Sequence, residues 1–134
     1  MKLSLIRKRE GVKVLIVDDK EQDLYLLETI LKKWDYEVIT ATNGEEALKK
    51  LHSEGADFVI SDILMPVMDG FKAINQIRTH PRTSHIPIFV VSAWSSKKER
   101  TQAKLEGADE FFVKPPDLDK LIESIEQAVA ASKK

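Results

Sequence analysis

Five polar residues of this chain follow short apolar runs and are of types that take part in phosphoryl transfer. They are an adjacent pair of carboxylates, a third carboxylate, a hydroxyl and an ammonium group: Asp18, Asp19, Asp62, Ser92 and Lys114. An aspartate can attack phosphorus as a nucleophile, and a lysine can neutralise the transferred group as a point charge. Phosphoryl transfer requires positioning and charge neutralisation more than covalent chemistry, and these residue types supply both.

The three carboxylates need a counter-charge if the fold brings them together, because like charges repel. A hard divalent cation supplies it, and Mg²⁺ suits a site with few carboxylates and several waters. Taken singly, an Asp-Asp pair is a common turn or helix cap, and Asp69-Gly70 is ordinary loop punctuation. The joint occurrence of these residues at the ends of apolar runs favours a Mg²⁺ site.

The elements that must position these residues are βα units, because short apolar runs alternate with amphipathic stretches. Apolar residues at spacings of three and four predict helices between the runs. We predict a doubly wound α/β fold with five helices and a five-stranded parallel sheet. Ligands of such sheets bind beyond the carboxyl ends of the strands, where the five polar residues fall. The predicted strands begin at Val14, Tyr36, Phe58, Ile86 and Phe111.

Local signals mark several helix ends. Asn43 is predicted to cap a helix whose third residue is Glu46. The sequence Glu-Gly-Ala-Asp at 54–57 recurs at 106–109, and both copies join a helix end to a strand. This recurrence indicates shared turn chemistry rather than a tandem repeat.

The composition indicates a single domain, since 134 residues at 43% hydrophobic support one ordinary core. We predict this domain at residues 13–131, after a basic leader or linker at 1–12 and before a tail at 132–134. A formal charge of −1 argues against direct nucleic-acid binding. The absence of cysteine excludes thiolate sites and fits a reducing cytoplasm. No window is apolar enough to span a bilayer, so we predict a cytoplasmic protein without membrane insertion.

Four segments resemble the receiver domains of response regulators in bacterial and archaeal two-component phosphorelay signalling. They read VDD at 17–19, DILMPVMDG at 62–70, VSA at 91–93 and VKP at 113–115, and the resemblance covers about residues 13 to 130. It implies the flavodoxin-like strand order 2-1-3-4-5. It also implies that Asp62 accepts a phosphoryl group from a histidine kinase or a histidine phosphotransfer protein.

The resemblance implies a metal site as well. Asp19 and Asp62 would ligate Mg²⁺ together with the backbone carbonyl of Leu64, while Asp18 would act largely through water. The protein would therefore be a phosphoacceptor switch with self-catalysed phosphotransfer and autodephosphorylation, and not an enzyme.

The remaining implied roles concern the switch. Ser92 and Lys114 would hold the phosphoryl oxygens, with a cis bond between Lys114 and Pro115. Movement of Ser92 and of Phe111 would alter the face formed by the fourth helix, fifth strand and fifth helix, where a downstream protein or output domain binds. Phosphorylation-dependent dimerisation is a further implied association. Phe111 lacks the hydroxyl of tyrosine, so packing must carry its part of the signal.

Two positions that the motif leaves free, Leu64 and Trp94, bear on how long the signal persists. The resemblance implies that these rim positions tune the loss of the phosphoryl group. Hydrolysis needs a water in line with phosphorus, and neither side chain offers an acceptor to orient one. We therefore expect slow autodephosphorylation.

Other functions compete with this interpretation. A small Mg²⁺-dependent phosphatase of the haloacid dehalogenase type also uses an aspartate nucleophile and a lysine, but it carries an Asp-x-Asp pattern on the first strand and needs a substrate cap. A flavodoxin-type FMN binder needs a Ser/Thr/Gly-rich loop after the first strand, which this sequence lacks. His52, His80 and His85 fall on a helix, a helix end and a loop, and we predict surface roles for them. The sequence leaves open whether this is a stand-alone regulator or a receiver of a larger protein.

Overall fold

A computed structural model describes residues 11–65 and 68–132. Residues 1–10 of the predicted leader, Pro66 and Val67 of the loop motif, and residues 133–134 of the predicted tail lie outside the described residues. Strands and helices alternate along the described chain in the predicted manner. Their bounds are β1 (Lys13–Val17), α1 (Glu21–Lys33), β2 (Glu37–Ala41), α2 (Gly44–Ser53), β3 (Phe58–Ser61), α3 (Gly70–Thr79), β4 (Ile88–Ser92), α4 (Lys97–Glu106), β5 (Glu110–Val113) and α5 (Leu118–Ser132).

The strands form one parallel sheet in the order β2-β1-β3-β4-β5, which confirms the predicted fold and strand order. Ser61 at the end of β3 lies opposite Val17 of β1 and Val90 of β4. Ser92 at the end of β4 lies opposite Val113 of β5. The carboxyl ends of these four strands therefore meet along one edge of the sheet.

Two apolar cores cover the two faces of the sheet. Successive strand residues point to opposite faces, so Val14 and Ile16 pack into one core while Leu15 and Val17 pack into the other. Buried residues of α1 and α5 complete the first core, and buried residues of α2, α3 and α4 complete the second. Helices thus lie on both faces, as a doubly wound fold requires.

Side-chain caps begin α2 and α3. The Glu46 N–H donates to Asn43 Oδ1 at 2.9 Å, and the Thr42 N–H donates to the Glu46 carboxylate at 2.7 Å. This confirms the predicted cap of α2. The Lys72 N–H donates to Asp69 Oδ1 at 2.9 Å, which caps α3 in the same way.

Two strands start later than their apolar runs predict. The predicted start of β4 was Ile86, but the Ile86 N–H closes a turn onto Thr83, and Pro87 has no N–H to donate. The predicted start of β2 was Tyr36, whose N–H instead donates to the Leu31 carbonyl at the end of α1. In both cases the backbone donor is used by the preceding turn.

The two Glu-Gly-Ala-Asp segments bind neighbouring strands in the same way. The Asp57 N–H donates to the Lys13 carbonyl at 2.7 Å, and the Lys13 N–H donates to Asp57 Oδ2 at 2.8 Å. Asp109 repeats this exchange with Ile88 at 2.8 Å and 2.7 Å. We call these two pairs the Asp57 clamp and the Asp109 clamp. They confirm the shared turn chemistry and fix the amino-terminal edge of the sheet.

Candidate functional site

The sheet itself positions the backbone of the site residues. The Asp62 N–H donates to the Val17 carbonyl at 2.9 Å, and the Lys114 N–H donates to the Ser92 carbonyl at 3.0 Å. The Asp18 N–H donates to the carbonyl at the end of β2 at 3.1 Å. Hydrogen bonding between strands thus continues one residue past β1, β3 and β5, and places these side chains in one crevice.

Three carboxylates converge in this crevice, and we call them the acidic pocket: Asp18, Asp19 and Asp62. One oxygen from each lies within 4.8 Å of the other two. Asp18 and Asp62 are buried, while Asp19 is exposed, so that water can reach the group. Hard oxygen donors with solvent access on one side fit Mg²⁺. Within residues 11–65 and 68–132, no other group of three His, Cys, Asp or Glu is arranged to hold a metal.

Lys114 supplies the fixed positive charge of the site. Its Nζ lies 2.7 Å from Asp18 Oδ2, 2.8 Å from Asp23 Oδ2 and 2.9 Å from Asp62 Oδ2, and its side chain is only 11% exposed. Burial alone would lower the pKa of Lys114, but hydrogen bonds to the three carboxylates outweigh it and raise that pKa well above its usual range. Lys114 is therefore cationic at all physiological pH values.

Asp62 accepts more hydrogen bonds than either of the other two carboxylates of the acidic pocket. Its Oδ1 accepts hydrogen bonds from the Ile63 N–H at 2.7 Å and the Leu64 N–H at 3.2 Å, and its side chain is 2% exposed. Burial would raise the pKa of Asp62, but hydrogen bonds from Ser92, Lys114 and the Leu64 N–H lower it below the usual carboxyl value. Asp62 is thus held as an ionised carboxylate at neutral pH.

Asp18 differs from Asp62 in the direction of its pKa shift. Its Oδ1 accepts from the Lys20 N–H at 2.9 Å, and its Oδ2 accepts from Lys114. Burial nevertheless raises the pKa of Asp18, and the charge of Asp62 adds to that increase. Both oxygens of Asp18 accept hydrogen bonds from the protein, as do both oxygens of Asp62.

Hydrogen bonds link Ser92 and the two predicted rim residues, Leu64 and Trp94, to the crevice: the Leu64 N–H donates to Asp62, and Ser92 bonds to both Asp62 and the Trp94 N–H. Ser92 is fully buried, and its Oγ accepts a hydrogen bond from the Trp94 N–H at 3.1 Å. Leu64 is 54% exposed and Trp94 42% exposed. The Trp94 ring lies 6.0 Å from the ring of Phe71 on α3. Phe111 is half-buried and packs against the core on the α2, α3 and α4 face.

Two further charged residues, Lys20 and Asp23, complete the site, and neither is among the site residues predicted from the sequence. Lys20 Nζ lies 3.3 Å from Asp19 Oδ1 and 3.4 Å from Asp62 Oδ2, and Asp23 on the first turn of α1 contacts Lys114. Burial lowers the pKa of Lys20, but the charge of Asp62 and the hydrogen bond to Asp19 raise it on balance. Lys20 directly follows the aspartate pair, and that adjacency was the available signal.

Three other features bear on the predictions. The Lys114–Pro115 peptide bond is cis, as the resemblance implied. His52 and His80 are less dispersed than their sequence positions indicate, because their ring centroids lie 4.6 Å apart where α2 and α3 end, away from the acidic pocket. No helix in the described part of the chain combines the length and apolar character needed to cross a membrane.

Comparison with known proteins agrees with this geometry. The family model described as response regulator receiver domain matches residues 14–126. Protein PilH of Pseudomonas aeruginosa is 32% identical over 88% of this chain and 98% of its own length. The transcriptional regulatory protein ZraR of Klebsiella oxytoca is 36% identical over 90% of this chain, which spans only 27% of ZraR. The structure of the chemotaxis response regulator CheY4 of Vibrio cholerae is similar with a TM-score of 0.80, 32% identity and coverage of 87% of this chain and 98% of that one.

These similarities give no support to the phosphatase alternative. Receiver domains are signalling switches that bind Mg²⁺ at an acidic pocket and interact with histidine kinases and output domains. The match of the family model, the fold and the acidic pocket all lead to the same assignment. The chain belongs to the family of response regulator receiver domains of two-component systems.

Proposed function

We propose that Asp62 accepts a phosphoryl group from a histidine kinase or a histidine phosphotransfer protein in a Mg²⁺-dependent reaction. One observation carries this assignment. Of the three carboxylates of the acidic pocket, Asp62 is the one that contacts both ammonium groups of the site, Lys114 at 2.9 Å and Lys20 at 3.4 Å. Asp18 is also buried and contacts Lys114, but its pKa is raised. Asp62 instead has a lowered pKa, which keeps it ionised as a nucleophile must be.

In the proposed reaction, Oδ2 of Asp62 attacks the phosphorus of a phosphohistidine. A P–O bond forms as the P–N bond breaks, and the electron pair of that bond leaves with the imidazole. Asp19, Asp62 and the backbone carbonyl of Leu64 would hold Mg²⁺, with Asp18 acting through water, and the bound ion would neutralise charge on the phosphoryl oxygens. The nucleophile and the metal ligands belong to this chain, whatever molecule donates the phosphoryl group. Phosphotransfer and later hydrolysis are therefore catalysed by the receiver's own residues.

The phosphoryl group would be held by Ser92 and Lys114. Lys114 already lies beside Asp62, so it can transfer a hydrogen bond from the carboxylate to a phosphoryl oxygen. The Ser92 hydroxyl would donate to a second oxygen, which would change its contact with the Trp94 N–H. We infer that this movement and repacking of Phe111 alter the face formed by α4, β5 and α5.

That face is the proposed binding surface for a downstream protein or output domain, and for a phosphorylation-dependent dimer. We place the receiver domain at residues 13–131, between a leader or linker at 1–12 and a tail at 132–134. We also propose that the protein acts in the cytoplasm, where histidine kinases phosphorylate their receivers.

The test is incubation with acetyl phosphate and Mg²⁺, followed by intact mass measurement. The parent should gain one phosphoryl group, and Asp62→Asn should gain none. Asp119→Asn, which removes an exposed carboxylate of α5, is the matched control and should be labelled like the parent. Labelling of Asp62→Asn at the parent's level would contradict the assignment.

A further inference from the structure

The two ammonium groups of the site are held very differently. Lys114 is 11% exposed and contacts three carboxylates at 2.7 to 2.9 Å, which are the distances of strong charge-assisted hydrogen bonds. The Lys20 side chain is 47% exposed, and its Nζ lies 3.3 Å and 3.4 Å from its two carboxylate partners. Lys114 is therefore a fixed part of the site, whereas Lys20 is held weakly enough to leave.

The partners of Lys20 connect its weak ion pairs to the proposed metal site. They are Asp19 and Asp62, the same two carboxylates that would ligate Mg²⁺. An ammonium group and a hard cation compete for the same carboxylate oxygens, because each lowers the repulsion between them. Both cannot contact these oxygens fully, since an added positive charge at this distance would repel the ion.

The charges around the crevice explain why the metal-free protein needs such a residue. Four carboxylates face two ammonium groups, an excess of two negative charges; the carboxylates are Asp18, Asp19, Asp23 and Asp62, and the ammonium groups are Lys20 and Lys114. Without Lys20, Lys114 would be the only counter-charge of the acidic pocket among the described contacts. Lys20 thus stabilises the metal-free form.

We propose that Lys20 is a built-in competitor of Mg²⁺: its ammonium group neutralises Asp19 and Asp62 in the metal-free protein, and Mg²⁺ displaces it on binding. The inference rests on the proposed Mg²⁺ site and adds a determinant of its affinity. Lys20 sets how much free Mg²⁺ is needed before Asp62 can be phosphorylated. It is a residue that tunes the metal site, and it need not touch the phosphoryl group.

The test compares Lys20→Met with the parent and with two controls. Lys20→Arg retains the charge, and Lys49→Met removes the charge of an exposed lysine on α2. Mg²⁺ affinity is measured by isothermal titration calorimetry at low ionic strength. Lys20→Met should bind Mg²⁺ roughly three- to tenfold more tightly, as expected for the loss of two partly exposed ion pairs, while Lys20→Arg and Lys49→Met should show no tighter binding.

Thermal unfolding provides a second readout, which distinguishes a competitor of Mg²⁺ from a lysine that only stabilises the fold. Lys20→Met should unfold at a lower temperature than the parent in EDTA, but at an equal or higher temperature in saturating Mg²⁺, because a ligand stabilises according to its affinity. A variant that is equally destabilised with and without Mg²⁺ would overturn the inference.

The outcomes also separate this inference from the proposed function. If the parent binds Mg²⁺ and is labelled at Asp62, but Lys20→Met binds with unchanged or weaker affinity, the inference is wrong and the proposed function stands. If neither protein binds Mg²⁺ and neither is labelled, both are wrong.

Discussion

Nζ of Lys114 lies 2.9 Å from Oδ2 of Asp62, two residues that are far apart in sequence and adjacent at the ends of β5 and β3. The same ammonium group contacts Asp18 and Asp23. One buried cation therefore serves three carboxylates, and its removal would leave them to repel one another. The contacts of this single residue make stability depend on pH in a way that can be measured.

We expect Lys114→Met to lower the free energy of unfolding by about 3 kcal/mol at pH 7, because it removes the buried counter-charge of the Asp18 and Asp62 carboxylates. In the parent the pKa of Asp62 is lowered, so its stabilising contribution is lost only as the pH falls below the usual carboxyl range. In the variant the pKa values of Asp18 and Asp62 should be raised, so protonation relieves the repulsion as the pH falls.

Urea unfolding at pH 7 and pH 5 measures this difference. The deficit of Lys114→Met relative to the parent should shrink at pH 5. Lys114→Arg, which keeps the charge, is the control and should show a smaller deficit at pH 7. An equal deficit of Lys114→Met at both pH values would show that lost packing, and not charge, causes the effect.

A second prediction is that Mg²⁺ binds the unphosphorylated protein weakly and changes the fluorescence of Trp94. The backbone N–H of Trp94 donates to Ser92 Oγ, and Ser92 is hydrogen-bonded to Asp62, so a change at Asp62 can reach Trp94. Trp34→Phe leaves Trp94 as the only tryptophan and removes the background signal. Asp19→Asn removes the exposed carboxylate of the acidic pocket and should abolish the response. The same titration curve for Asp19→Asn and its parent would show that the metal binds elsewhere.

The third prediction concerns the lifetime of the phosphorylated state. Leu64 and Trp94, the two predicted rim residues, are both about half-exposed, and neither side chain offers an acceptor for an attacking water. The double variant Leu64→Asn with Trp94→Glu should therefore lose its phosphoryl group roughly tenfold faster than the parent, because an oriented water lies closer to its attack geometry.

The measurement is the decay of the phosphorylated protein after the donor is removed. Leu105→Asn, which replaces an exposed leucine on α4 outside the acidic pocket, controls for the loss of a surface apolar group. Since the Trp94 ring packs near Phe71, its role could be packing alone. Equal decay rates for the double variant and the parent would favour that explanation.

A fourth prediction tests the close approach of α3 to the site. A Cβ on Gly70 would lie 2.3 Å from Ile63 Cα and 2.6 Å from the Asp62 carbonyl oxygen, and both neighbours are backbone atoms that cannot move aside independently. Gly70→Ala should lower the free energy of unfolding by about 1 to 3 kcal/mol, although alanine is ordinarily the better helix former. It should also slow labelling of Asp62. Asn75→Ala, at an exposed position of α3, is the control; a fully stable Gly70→Ala would contradict the close approach.

The fold and most of the site were predictable from sequence because both depend on strand ends. Apolar runs locate the strands, and the residue after each run must lie at the carboxyl edge of a parallel sheet. The contacts of Lys20 and Asp23 were not predictable in this way, since they depend on how far a side chain reaches across the crevice. The predicted start of β4 was too early because it rested on the density of β-branched residues and took no account of Pro87, which has no backbone donor. The proximity of His52 to His80 depends on how α2 and α3 pack, which periodicity does not specify.

The two clamps at the amino-terminal edge of the sheet constrain how the chain can vary in length. Asp62 is the fifth residue after Asp57, and Lys114 is the fifth residue after Asp109. An inserted or deleted residue within either interval would move the site residue by about 3.3 Å along its strand and turn it toward the opposite face of the sheet. Insertions and deletions should therefore be tolerated in connections such as the one between α3 and β4. Within residues 57–62 and 109–114 they should abolish phosphorylation, because they displace Asp62 or Lys114.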